Sequence, residues 1–265
     1  MALMHVKFFS NTLGMNVEMD AIIPQTIRNP VGTSVNVGSG PFQTLYLLHG
    51  MSGDHTAWQR KTSIERYASD YGIAVIMPST QLGWYTDMYH GLKWWTYISD
   101  ELPKICRGFF PLSDKREDTF AAGLSMGGYG AVKLGLLAGE TFSNVASLSG
   151  GLDVEAILMN PGLSSGQGGY WSDIFGPVEE FAGSDNDLFT QAEKRKAIGM
   201  APRIYQWCGT EDFLYKGNIA FRDHLQKLGY DLTYKEGPGD HQWKYWDEQI
   251  QRVLAWLPIS YQQHE

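Results

Sequence analysis

Gly123-Leu124-Ser125-Met126-Gly127 fits Gly-x-Ser-x-Gly, a serine flanked at two-residue spacing by residues without side chains. The short apolar stretch TFAAG (119–123) runs into it, and the small-residue run LSMGGYGAVKLGLLAG leads away. That order is strand, sharp turn, helix. Such a turn strains the backbone at the serine, and the glycines permit it because a Cβ there would clash. The hydroxyl is lifted off the sheet beside the first amides of a helix, which favour developing negative charge. The chemistry this suits is nucleophilic attack. Five loosely specified positions recur by chance, so the strand before and the helix after are what separate Ser125 from an idle serine in a glycine-rich turn.

A serine hydroxyl barely ionises at neutral pH and needs a base within hydrogen-bond reach. Of the seven histidines, His241 follows the segment DLTYKEG (231–237) through Pro238-Gly239-Asp240 and precedes a helical pattern. That places it at the carboxyl end of a strand, where ligands collect in open α/β sheets. His224 falls within a helical stretch, and His5, His55, His90 and His264 have no comparable position. The base must in turn be held in one tautomer by a carboxylate. Asp212, just past the strand RIYQWCG (203–209), is the candidate, with the adjacent Glu211 as the alternative. Asp240 neighbours the histidine, but its side chain would have to double back.

Two main-chain donors complete the set. The N–H of Met126, the residue after the nucleophile, is one; the loop Leu48-His49-Gly50-Met51-Ser52-Gly53-Asp54 should supply the other, at Met51. His49 is expected to support this loop through hydrogen bonds rather than to do chemistry. Trp84 and Tyr85 follow the apolar segment IAVIMPS (73–79) and could wall an acyl or alcohol pocket, or pack beneath a loop.

The elements that must position these groups are legible as alternating patterns. Val6, Phe8 and Ser10, then Val17, Met19 and Ala21, alternate about the turn-like Asn11–Gly14, which predicts an antiparallel start. TLYLLHG (44–50), IAVIMPS, TFAAG, NVASLSG (144–150) and RIYQWCG are continuous apolar runs, as expected of strands covered on both faces. Helices are predicted between them: Asp54 to Tyr71, a face through Trp95, Ile98, Leu102, Ile105 and Phe109, a helix ending at Gly229, and a closing helix marked by Trp246, Ile250, Val253 and Leu257. Trp94 and Trp95 read as core at a helix start. Strand–helix alternation implies a mostly parallel sheet with helices on both faces. Residues 29–41 read as a loop. Residues 151–200, with SSGQGG and scattered aromatics, break the rhythm and are expected as a cap-like insertion in one α/β domain spanning 1–265.

Composition excludes several classes. The chain has 265 residues, 43% of them hydrophobic, which is incompatible with disorder. Lys plus Arg number 21 against 29 Asp plus Glu, giving net charge −8, so neither nucleic acid nor a membrane surface is an expected partner. Cys106 and Cys208 have no metal or redox spacing and read as buried thiols. No export signal or membrane-spanning run is visible, which makes cytoplasmic the default expectation.

LLHGMSGD, GWYTD (83–87), YISDELP (97–103), GLSMGGYGA, and GTEDFLY with GDHQWKYWDEQI resemble the esterase D-like branch of the α/β-hydrolases. Within that branch the short-chain carboxylesterases called tributyrin esterases are the nearest likeness, with feruloyl esterases as relatives. The resemblance runs over most of residues 5–257. The order Ser125, Asp212, His241 is the one α/β-hydrolases use. The resemblance implies an α/β-hydrolase fold and a serine carboxylesterase acting on short-chain acyl or small phenolic (hydroxycinnamoyl) esters. It also implies no metal or organic cofactor, a small-molecule ester as partner, and leaves homo-oligomerisation open. S-formylglutathione hydrolases of the branch usually carry a cysteine after His-Gly, where this chain has Met51-Ser52-Gly53-Asp54, so a glutathione thioesterase is the alternative. An acyltransferase would use the same triad, and a non-enzymatic ligand-binding relative would usually lack one of its residues.

Overall fold

The computed structural model describes residues 1–25, 40–160 and 169–260. Most of the predicted loop at 29–41 and of SSGQGG lies outside these residues, as does His264. β1 (Ala2–Ser10) and β2 (Met15–Ile23) form a hairpin whose turn closes at Gly14, with φ 66°. After β3 (Thr44–Leu48) come α1 (Ala57–Lys61), α2 (Ile64–Tyr71) and β4 (Ala74–Pro78). A helical run over 94–109, α3, precedes β5 (Thr119–Leu124) and α4 (Met126–Leu137). β6 (Asn144–Leu148), α5 (Val154–Met159), α6 (Tyr170–Phe175) and α7 (Leu188–Ala197) follow. The chain closes with β7 (Arg203–Gly209), α8 (Tyr215–Lys227), β8 (Leu232–Gly237) and α9 (Trp243–Trp256).

Among the described residues the strands form one eight-stranded sheet in the order β1-β2-β4-β3-β5-β6-β7-β8. β1 and β2 pair antiparallel, β2 meets β4 antiparallel, and every remaining pairing is parallel. This is the mostly parallel sheet that the sequence pattern predicts, in the arrangement that the resemblance implies. Because side chains alternate across a strand, the continuous apolar runs feed two cores at once. Tyr46, Ile76, Ala121, Val145 and Ile204 face one, with α3 and α4. Leu45, Leu47, Val75, Phe120, Ala146 and Trp207 face the other, with α2 and α9.

One expectation is corrected. The helix predicted from Asp54 to Tyr71 is two helices, because Thr62 turns extended (φ −139°, ψ 176°) and its hydroxyl returns to Trp58 O at 2.6 Å. No described residue of 151–200 lines the cavity at Ser125. Instead Trp171 and Phe175 pack on Trp84, with ring centroids 5.2 and 5.8 Å away, and join the core beside α4. Cys106 and Cys208 are both buried and unpaired, and burial pushes the Cys106 thiol up to about 12. No helix among the described residues is long and apolar enough to cross a membrane.

Candidate active site

Ser125 stands between β5 and α4 with φ 53° and ψ −120°, a conformation an L-residue holds only when its surroundings force it. Three glycines let the chain do so. A Cβ on Gly123 would lie 2.3 Å from Gly127 O, and one on Gly127 would lie 2.4 Å from Leu48 O. A Cβ on Gly50 would lie 2.6 Å from Leu124 Cδ1. The turn is fixed by Ser125 N–H donating to Leu148 O at 3.0 Å and by Gly151 N–H donating to Ser125 O at 3.2 Å. The hydroxyl opens into a cavity of about 520 Å³, within the range of small-molecule sites.

His241 reaches the same point from the loop after β8. Its partner Asp212, from the loop after β7, has a fully buried side chain. A carboxylate only accepts, so His241 Nδ1 carries the proton and donates to Asp212 Oδ2 at 2.8 Å. Nε2 is thereby left to accept from Ser125 Oγ at 3.0 Å. The other carboxylate oxygen, Oδ1, accepts the Leu214 N–H at 2.9 Å. The imidazole is held from both sides: the Phe213 ring lies 4.7 Å away and the Trp246 ring, edge-on, 4.8 Å away. Glu211 and Asp240 are elsewhere. Glu211 accepts the Gly239 N–H, and Asp240 Oδ2 accepts from Gln242 at 2.6 Å.

Met51 sits in a turn closed by Gly53 N–H to Gly50 O at 3.1 Å, with Ser52 at φ 63°. Met126 opens α4. Neither amide N–H is spent on a hydrogen bond among the described residues, and Met51 lines the cavity. His49 underpins this loop. The Thr80 N–H donates to its Nε2 at 3.1 Å, so Nδ1 is the protonated nitrogen and donates to Gly50 O at 2.7 Å. Burial pushes the His49 pKa down, keeping the ring neutral.

Residues 18–257 match the model of the Esterase family, described as "Putative esterase". The chain belongs to this family. It is 33% identical to an acetyl esterase of Caldicellulosiruptor saccharolyticus, covering 97% of this chain and 98% of that one. Among solved structures it is similar to the fluorophosphonate-binding serine hydrolase FphF of Staphylococcus aureus in a substrate-bound form, at TM-score 0.86 and 33% identity. That likeness covers 97% of this chain and 98% of the other. The S-formylglutathione hydrolase FrmB of Staphylococcus aureus superposes at TM-score 0.83, again with 33% identity and 97% and 98% coverage. The protein is a carboxylic ester hydrolase of α/β-hydrolase fold.

Not every expected site residue of this esterase lies at the cavity. Trp84 is 3% exposed and Tyr85 fully buried, and neither lines the space at Ser125. Both adopt positive φ, 50° and 51°, which turns their rings inward beneath α4. Tyr85 packs on Gly130 and donates its hydroxyl to His49 O at 2.8 Å. Trp84 covers Gly151 and donates to the Tyr170 hydroxyl at 3.0 Å. They brace the His49–Met51 loop and the turn at Ser125 from behind. The walls are instead Phe213, Trp243 and Trp246 with Met51, and Arg60 and Lys61 at one side. Adjacency was the signal for the aromatics: each is within five positions of Asp212 or His241.

The arrangement has a hydroxyl with an acceptor nitrogen at hydrogen-bond distance, a buried anion behind that nitrogen, and two unengaged amides near the same cavity. Among the described residues no group of three or more His, Cys, Asp or Glu could hold a metal ion.

Proposed function

We propose that this esterase works through a Ser125–His241–Asp212 triad and an acyl-enzyme intermediate. The observation that carries the reading is the continuous pair of bonds, Ser125 Oγ to His241 Nε2 at 3.0 Å and His241 Nδ1 to Asp212 Oδ2 at 2.8 Å, on a strained serine. His241 Nε2 takes the Ser125 proton as Oγ attacks the ester carbonyl. The carbonyl oxygen gains the charge and is held by the Met51 and Met126 N–H groups. As the C–O bond breaks, His241 returns the proton to the departing alcohol. Water then attacks the acyl-Ser125 carbonyl with His241 again as base, releasing the acid and restoring the hydroxyl. Asp212 keeps the tautomer and offsets the imidazolium charge throughout.

The substrates are short-chain acyl or small phenolic esters. Similarity to an acetyl esterase supports the short acyl chain, and the aromatic wall of Phe213, Trp243 and Trp246 suits a flat leaving group. A thioester hydrolase would use the same steps, and likeness to a protein described as an S-formylglutathione hydrolase favours that second reading. Two experiments decide. Ser125→Ala should abolish 4-nitrophenyl acetate hydrolysis while leaving the circular dichroism spectrum unchanged, and wild-type rates in that variant would remove the nucleophile. Rates on acetyl through octanoyl esters, methyl ferulate and S-formylglutathione rank the substrate classes; a preference for octanoate would exclude the short-chain reading.

A further inference from the structure

The cavity at Ser125 has one cationic wall, and it is built on α1. Arg60 and Lys61 both line it. In a chain of net charge −8, many basic side chains are neutralised locally: Lys7, Lys104, Arg195, Arg203 and Arg252 each meet a carboxylate within 4 Å. Arg60 and Lys61 have no such partner among the described residues. The acid that lines the same cavity, Asp54, is turned to its own loop, where Oδ1 accepts the Thr56 N–H at 2.8 Å and the Thr56 hydroxyl at 2.6 Å. The cations therefore face the reaction space with their charge unspent.

Their platform is rigid. Trp58, between them and the elbow, is 1% exposed and donates its Nε1 to Leu48 O at 2.9 Å. Its ring meets Trp243 edge-on at 5.2 Å, and Trp243 in turn meets Trp246 at 5.5 Å. At the far end Thr62 caps the helix on Trp58 O through N–H and hydroxyl, at 3.0 and 2.6 Å. The cations are thus tied to the end of β3, two residues before the Gly50-Met51 turn, and to the aromatic wall beside His241. Two cations carried side by side on an anchored backbone beside the nucleophile can select a substrate in a way that scattered surface lysines cannot.

We propose that Arg60 and Lys61 bind an anionic group of the substrate while its ester carbonyl lies at Ser125, so that this esterase prefers esters carrying a carboxylate or comparable anion. The proposal deepens the serine-esterase reading and rests on it for the position of the carbonyl. An otherwise acidic surface repels such a molecule, and the local pair supplies the attraction that orients it. The anion can belong to the acyl half or to the alcohol half, and the test has one arm for each.

Two ester pairs separate them: 4-acetoxybenzoate against its methyl ester, and the 4-nitrophenyl monoester of adipate against 4-nitrophenyl hexanoate. In the double variant Arg60→Gln/Lys61→Gln, the ratio of kcat/KM for the anionic to the neutral member should fall roughly three- to tenfold in at least one pair, as expected of partly exposed charges. The pair that responds names the half that carries the anion. The wild-type ratio should also fall as ionic strength rises from about 0.01 M to 1 M, where the screening length shrinks from about 30 Å to about 3 Å. Ratios unchanged in both pairs would overturn the proposal. Calorimetric binding of both ester pairs to Ser125→Ala provides a readout independent of turnover. Tighter binding of the anion, lost when Arg60→Gln/Lys61→Gln is added, supports the rim even if hydrolysis is absent, in which case the esterase reading of Ser125 fails instead. Equal binding of the anionic and neutral members in both pairs overturns the rim.

Discussion

The Glu211 carboxylate accepts the main-chain N–H of Gly239, and the Glu211 N–H donates to Gly239 O at 3.0 Å. Glu211 precedes Asp212 and Gly239 lies two residues before His241, so this pair of hydrogen bonds ties the two loops that carry Asp212 and His241. The loops are pressed tightly together: a Cβ on Gly209 would lie 2.1 Å from Gly239 O, and one on Gly239 would lie 3.0 Å from the Tyr245 ring. The Gly239 N–H and the Thr210 hydroxyl hold the Glu211 carboxyl below the usual carboxylate range. Glu211 is a positioning residue. Glu211→Ala should lower kcat roughly tenfold with KM little changed, because small misplacements of a catalytic group are costly. Glu211→Gln, whose amide oxygen still accepts from Gly239, should recover most of that rate. Equal losses in the two variants would show that the clamp is not what matters.

Asp212→Asn tests the role of the tautomer. The amide oxygen can keep the Leu214 N–H, while the amide NH₂ then points a donor at His241 Nδ1. Nδ1 must become the acceptor and Nε2 the protonated nitrogen, which cannot take the Ser125 proton. Steady-state assays on 4-nitrophenyl acetate should show kcat down by about 10⁴, the scale of this substitution in a serine-protease triad. The Tm should move little. A loss below tenfold would point to another carboxylate.

Local patterns carried much of this site. A Gly-x-Ser-x-Gly after a strand and a histidine after the last strand are consequences of short-range geometry, and short-range geometry is written in neighbouring residues. Trp84 and Tyr85 show where that ends. Their position after β4 suits a pocket wall or packing beneath a loop alike, and their inward turn depends on Gly130 and Gly151, which lie far along the chain and leave room for the rings. No periodicity within 80–90 encodes that room. The Arg60–Lys61 wall was hidden for a similar reason. Nothing in the local pattern around Arg60 and Lys61 shows that the end of α1 meets the cavity, because that depends on Trp58 docking its Nε1–H on Leu48 O at the end of β3. The wall residues Phe213, Trp243 and Trp246 were in plain view beside the triad, but their side-chain directions depend on the turns around them.

Paired glycine substitutions separate close approach from mere flexibility. On Gly127 a Cβ would meet Leu48 O at 2.4 Å and His49 O at 2.6 Å, both backbone atoms that cannot rotate away. Gly127→Ala should cost about 1–3 kcal/mol and reduce kcat, since the elbow and the Met51 loop must part to admit the methyl. Gly108, exposed in α3, has nothing within 4 Å of the point where a methyl would stand, and it does not adopt positive φ. Gly108→Ala should stabilise by about 0.5–1 kcal/mol in urea unfolding, with activity unchanged. Similar effects of the two substitutions would contradict the packing at the elbow.

Lys133 on α4 is the most exacting test of the core. Its ammonium donates to Thr86 Oγ1 at 2.8 Å and to Asn186 Oδ1 at 2.6 Å, and it lies 4.9 Å from the Trp95 ring centre. Burial lowers its pKa from 10.5 to about 7, partly opposed by Asp87 and Asp185. Below pH 7 the folded and unfolded chains both hold the proton, so stability is flat with respect to this group and carries the full cost of a buried charge. Between about 7 and 10.5 only the unfolded chain retains it. Stability must then rise with pH, with a slope approaching about 1.4 kcal/mol per unit. Lys133→Met removes the titration but keeps the volume. The difference in urea unfolding free energy between wild type and Lys133→Met should therefore shift in favour of wild type from pH 6 to pH 9.5, while other titrating groups cancel in the comparison. A difference that stays constant across that range would mean that the ammonium is not the buried, proton-shedding group this packing requires.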